Sequence, residues 1–167
     1  MRKTFTLLAI AWFSFAAAAQ NTKTMKASDE KSQISVPKSW DTLELNDSAE
    51  IEVGNAEEEA YLIVLNEAKE DLYGWNLDKH SRVTLGNLLS NMAFPTVTGP
   101  KSIKVGSSPA VQYEIRGAMN GQNIIYVHTT VDGPKYFSQI LAWTLPSRVD
   151  EVKPQLMSAI ATFREID

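Results

Sequence analysis

From position 34 onward, apolar residues recur mostly at every second place, in short runs closed by turn residues, and this pattern predicts strands. Ile34-Ser35-Val36 opens the first run and Pro37 stops it. Leu43 and Leu45 alternate with Thr42 and Glu44. Ile51 and Val53 alternate with Glu50 and Glu52 before Gly54-Asn55 closes that run. Ala60 to Leu65 (AYLIVL) is almost wholly apolar, as expected of a central strand covered on both faces. Val111, Tyr113, Ile115 and Met119 alternate with Gln112, Glu114 and Arg116. Asn120-Gly121, a pair that tolerates the positive φ angles of a tight hairpin, then turns the chain into a strand over 123–131. Asp132-Gly133-Pro134 turns it again into 136–145. A two-residue loop at 120–121 sets Tyr113 opposite His128, Ile115 opposite Tyr126 and Gly117 opposite Ile124. A four-residue second loop adds Phe137, Leu141 and Trp143 to the same apolar face.

The rhythm changes twice. Leu85, Leu88, Leu89 and Met92 fall at i, i+3, i+4 and i+7, which places a helix over 78–92. Asn76 is its expected N-cap, Asp78 suits the first turn and Pro95 ends the segment. Near the C-terminus, Val149, Val152, Leu156, Ile160 and Phe163 form a second stripe, with Ser147 as its cap and Asp150 three residues on. Pro154 either kinks that helix or begins it, and an irregular turn followed by a helix from Pro154 to about Phe163 is the expected form. This segment is the expected cover for the apolar face of the hairpin strands. Trp40 and Trp143 are expected in the core.

The first nineteen residues do not belong to this pattern. Arg2 and Lys3, the apolar run from Phe5 to Phe15 and Ala17-Ala18-Ala19 have the form of a secretory signal peptide, cut near Ala19-Gln20. The apolar run is too short to span a bilayer, which needs about twenty residues. Positions 20–33, polar and lysine-rich with Met25 as the one large apolar residue, read as a flexible leader, and 34–167 as a single domain. The expected location is therefore periplasmic or secreted, without a stable membrane anchor.

Charge and cysteine usage narrow the chemistry. Removing the first nineteen residues moves the formal charge from −4 to −6, with 14 basic against 20 acidic side chains, which argues against nucleic acid as a partner. Without cysteine there are no disulfides, no thiolate metal sites and no cysteine nucleophile.

Ile34-Ser35-Val36-Pro37 followed by Trp40, Val105-Gly106 with Pro109-Ala110, Tyr136-Phe137 with Ile140-Leu141, and the closing segment Ile160 to Phe163 resemble the PsbP-like fold family, which includes exported bacterial proteins related to DcrB. Thr162 stands where that family's closing helix has a serine. The resemblance covers about 34–167. It implies an α+β fold: an antiparallel sheet of about six to seven strands flanked by helices on both faces. It implies no catalytic residues and no cofactor, and it points to members that bind other proteins.

Candidate chemistry in the residues themselves is sparse. His80 and His128, the only histidines, have no partner at metal-ligand spacing, so no metal site is expected. His128 reads as a hydrogen-bonded core residue and His80 as a surface residue in the first helical turn. A hydrolase would need His128 brought to Glu114 or Ser138 by the fold. No serine lies in a G-x-S-x-G elbow. Glu57-Glu58-Glu59 lacks the alternating oxygen ligands of a calcium loop and reads as a solvated turn. Tyr73-Gly74-Trp75 puts two aromatics in a loop, so Tyr73 and Trp75 are the candidate partner or ligand contacts, with Trp75 also suited to packing on His80 as a hydrophobic staple. The expected function is a non-enzymatic exported protein that binds another envelope protein as an adaptor, assembly factor or immunity-type inhibitor. The alternative is a small-ligand binder with a groove beside the 78–92 helix.

Overall fold

The computed structural model describes residues 21–166, so the expected signal peptide lies outside the described residues. The chain runs β1 (Thr22–Lys26), β2 (Ser32–Pro37), β3 (Asp41–Thr42), β4 (Ile51–Asn55), β5 (Ala60–Ala68), α1 (Leu77–Ser90), β6 (Ala93–Val105), β7 (Ser108–Met119), β8 (Gln122–Asp132), β9 (Tyr136–Thr144), α2 (Val149–Ala161) and β10 (Arg164–Glu165). Single 3-10 turns sit at Lys69–Asp71 and Pro146–Arg148. Seven strands form one antiparallel sheet in the order β3-β4-β5-β9-β8-β7-β6, and β1-β2-β10 form a smaller antiparallel sheet.

The hairpin behaves as its turn residues demand. Asn120 and Gly121 take φ of 52° and 80°, the double left-handed geometry of a two-residue hairpin loop. Tyr113 pairs with His128, Ile115 with Tyr126 and Gly117 with Ile124. Asp132 pairs with Phe137 around a four-residue loop, which brings Leu141 opposite His128 and Trp143 opposite Tyr126. One face of the sheet thus carries Tyr113, Ile115 and Tyr126. Because side chains alternate, the other carries Leu62, Val64, Val127, Ile140 and Ala142.

Each face has its own helix. α1 lays Leu85, Leu88 and Leu89 against Tyr113, Ile115 and Tyr126. Asn76 caps it, accepting a hydrogen bond from the Lys79 amide at 2.8 Å. α2 buries Val152, Leu156, Ala159 and Ile160 on the opposite face, together with Ile34, Val36 and a fully buried Trp40. The C-terminal segment therefore covers not the Tyr113 face but the one behind it, since β8 and β9 are apolar on both sides. Burying each large aliphatic side chain there contributes about 1.5–3 kcal/mol.

Three further expectations change. The 20–33 leader is not a free tail: β1 pairs with β2 over Thr22–Lys26, and Met25 and the buried Ala27 reach the core. Its polar composition reflects an edge strand whose other positions face water. α2 begins at Val149, with Pro154 inside it and no side-chain cap, so Ser147 lies in the preceding 3-10 turn. Burial of Val152 holds that first turn helical and offsets the backbone hydrogen bond that Pro154 cannot make. Trp143 is half-buried and stacks between Tyr61 (5.4 Å) and Tyr126 (5.5 Å), completing an aromatic ladder across three strands.

Candidate functional site

The loop between β5 and α1 presents its two aromatics differently. Tyr73 is 98% exposed. Trp75 is half-buried, with its ring edge-on to His80 at 6.0 Å and the Lys79 ammonium 4.7 Å over its face. Its amide donates to the Leu72 carbonyl at 3.0 Å. Trp75 thus anchors the loop onto α1, while Tyr73 stands free on that anchored base.

His80 is not a surface residue; it is fully buried. The inward side of the first half of α1 is polar (His80, Ser81 and Thr84), so the leucine stripe describes only its second half. The His80 ring stacks on Phe137 at 4.9 Å, and Nε2 lies 3.5 Å from the Glu67 carboxylate. Burial pushes its pKa down and Glu67 opposes that shift. His128 is also fully buried, edge-on to Tyr113 at 5.9 Å, and its Nε2 is 3.1 Å from the Thr84 hydroxyl. That hydroxyl donates to the His80 carbonyl at 3.0 Å, so it accepts from His128, and the ring carries its proton on Nε2. Nδ1 is left without a hydrogen-bond partner. Burial depresses the His128 pKa to about 4.

The pairs a hydrolase would need are not assembled. His128 faces α1, whereas Glu114 and Ser138 face α2 through the thickness of the sheet. Glu114 is held by Lys153 and by Arg116 at 2.9 Å, and the Lys153 hydrogen bond above all keeps its carboxyl below the usual range. Ser138 donates to Asn66 at 2.7 Å. Among the described residues no group of histidine and carboxylate side chains could hold a metal ion. Glu58 and Glu59 of the acidic turn accept from Asn55 (3.1 Å) and Tyr61 (3.0 Å).

Space between α1 and the sheet is taken up by Met92, Tyr113, Tyr126 and the three leucines, where the alternative reading placed a ligand groove. Four surface concavities of about 230–340 Å³ instead border α2. One of about 270 Å³ lies between α2 and the β6–β7 edge of the sheet, lined by Thr98, Lys101, Gln112, Glu114, Lys153 and Met157. Its rim strand, β6, is absent from the strand pattern of the sequence because Pro95 and Pro100 interrupt it; proline is tolerated only at such an edge.

No family model matches the sequence, and no curated protein matches it. Solved structures do. Cyanobacterial PsbP (CyanoP) from Synechocystis sp. PCC 6803 is similar with a TM-score of 0.64 at 10% identity, over 90% of this chain and 96% of that one. The chain has the PsbP-like fold. The Saccharomyces cerevisiae Ran-binding protein Mog1p gives a TM-score of 0.63 at 13% identity, covering 89% and 97% of the two chains. LpqN, involved in cell envelope biogenesis of Mycobacterium tuberculosis, gives 0.59 at 15% identity, covering 87% and 91%. The expected α+β architecture, with a helix on each face of the sheet, is thus the one observed. Identities of this size speak for the PsbP-like fold and leave function to the residues of this chain.

Proposed function

We propose that this chain is an exported, non-enzymatic protein that works by binding another protein of the cell envelope. The observation that carries this reading is Tyr73, an almost fully exposed aromatic on a loop anchored by Trp75. Exposed aromatics on rigid bases make strong contacts because little conformational freedom is lost on binding. The export-signal pattern of residues 1–19 supports the location, and the two histidines sealed beneath α1 leave solvent no imidazole to work with. Proteins sharing this fold include one named for binding another protein, Ran.

The test is affinity capture of the full chain from the envelope of its own host. A stoichiometric partner is expected, and Tyr73→Ala should weaken its retention roughly thirtyfold, the scale of an interface hot spot, without lowering the melting temperature. Capture that returns no stoichiometric partner would sink the reading.

A further inference from the structure

We propose that the outer edge of β6 is a docking strand for an extended, acid-bearing segment of a partner protein, whose alternate side chains enter the groove between β6–β7 and α2. This rests on the protein-binding reading above and names a surface and a partner chemistry for it.

β6 closes the seven-stranded sheet, and beyond it no strand is paired among the described residues. Its first ten residues are all exposed, including Phe94 at 93% and Val97 at 41%. Phe94 is held at a φ of 52°, a costly conformation for an aromatic that packs on nothing. Register shifts after Ala93 and after Thr98 break the strand, and both prolines fall in the interrupted parts. From Lys101 to Val105 the ladder with Gln112–Ser108 is uninterrupted and free of proline. Along that run alternate N–H and C=O groups point outward and are available to a further strand.

The charge of this edge selects its occupant. On a chain of net charge −4, residues 93–105 carry Lys101 and Lys104 and no acidic side chain. Neither lysine pairs with a carboxylate among the described residues. Lys101 lines the same groove as Glu114 and Lys153, and that carboxylate is already held by Lys153 and Arg116. An incoming glutamate or aspartate therefore finds Lys101 unpaired, while Ile103, half-buried two residues along on the same face of β6, receives an apolar position of the same segment. Strand addition of this kind draws affinity from main-chain bonds and specificity from pockets for alternate side chains. A second copy is the poorer occupant: antiparallel self-pairing over Lys101–Val105 would crowd four lysines onto one short ladder.

Hydrogen exchange on the full chain tests this, with two probes: the capped hexapeptide Val-Val-Glu-Glu-Val-Val, which sets one glutamate between two valines on each face of a strand, and its counterpart with lysine in place of glutamate. The glutamate peptide should slow exchange at amides of Lys101–Val105 roughly tenfold in a saturable manner, and the lysine peptide should not. Joint Lys101→Glu and Lys104→Glu substitution should abolish that protection and transfer it to the lysine peptide, with the melting temperature moved by no more than about 2 °C. Protection by neither peptide, equal protection by both, or protection that survives the charge reversal overturns the proposal. So does protection of the same amides by the chain alone at rising concentration, which would give the edge to a second copy. A host partner lost with Tyr73→Ala but kept after the charge reversal would remove β6 from the interface and leave the binding reading standing.

Discussion

Acidification should destabilise this protein through a histidine that no solvent reaches. His128 is buried, with Nε2–H donated to Thr84 and no carboxylate on Nδ1, so burial disfavours a second ring proton beneath α1 more strongly than the residue's own backbone carbonyl favours it. Glu67, the carboxylate nearest the pair, lies against His80, and the neighbouring imidazole further disfavours charge on His128. The folded pKa of about 4 stands against 6.5 for the free side chain. The unfolded chain therefore binds the proton more tightly. The contribution of His128 to stability is intact above pH 6.5 and is lost as the pH falls toward 4. The full difference amounts to ~3.4 kcal/mol, of which ~2 kcal/mol disappears between pH 7 and pH 5.

Urea unfolding at those two pH values measures it, on the wild type and on His128→Gln, which retains a donor for Thr84 but cannot titrate. The wild type should lose ~2 kcal/mol more than the variant over the interval, at unchanged m. Glu50, whose carboxyl burial pushes up, acts in the opposite direction, gaining from acid, but it is common to both proteins and cancels. Parallel pH dependence in the two proteins would refute the burial of an uncharged His128.

Two other substitutions probe the frame. Asn76→Ala removes the oxygen that accepts the Lys79 amide and should cost about 1 kcal/mol, read as a fall in melting temperature; no fall would mean that the cap is dispensable to α1. Gly54→Ala would set a methyl group 2.3 Å from the Ala60 carbonyl oxygen and 2.9 Å from a Leu43 methyl, so the β4–β5 hairpin must distort. A loss of about 3 kcal/mol or an insoluble product is expected, and a melting point equal to the wild type would contradict the close approach of those strands.

What could be read in advance was what is local. Asn120-Gly121 specifies its own turn, and a turn of known length sets the register of two strands, so the cross-strand pairs followed without knowledge of the rest. Asn76 and the leucine stripe placed α1 to within two residues for the same reason. The misses are all decided by partners distant in sequence. β1 is polar and becomes a strand because β2 offers it a ladder. Pro154 is held inside α2 because Val152 is buried against β strands far along the chain. β6 has too little apolar pattern to declare itself, since its first ten residues are exposed on both faces and only Ile103 and Val105 at its end turn toward the core. His80 was placed on the wrong side of its helix because the inward face of α1 begins with polar residues, which a hydrophobicity pattern assigns to solvent. Of the candidate site, the loop position of Tyr73 and Trp75 was legible, but which of the two is exposed was not, since that depends on Trp75 packing against His80, and the cationic edge depended on the unseen strand.

The two surfaces offered to a partner are closer together than their sequence positions suggest. Following the ladder across the sheet, Ile103 of β6 pairs with Ala110, and Val131, the next partner of Ala110, pairs with Ser138, which pairs with Asn66 of β5. Asn66 lies seven residues before Tyr73, so the docking run of β6 and the aromatic loop leave the sheet at the same end. Four strand spacings of ~4.8 Å put their strands ~19 Å apart. An interface of ordinary size, ~800 Å² on each partner, is wider than that. A partner that wraps this end of the sheet, from the α1 side where Tyr73 stands to the α2 side of the groove, engages both, and because the sites share no contacts, Tyr73→Ala and the Lys101/Lys104 charge reversal should then weaken a single complex by amounts that add in free energy. If each substitution instead abolishes a different complex, the end of the sheet holds two interfaces rather than one.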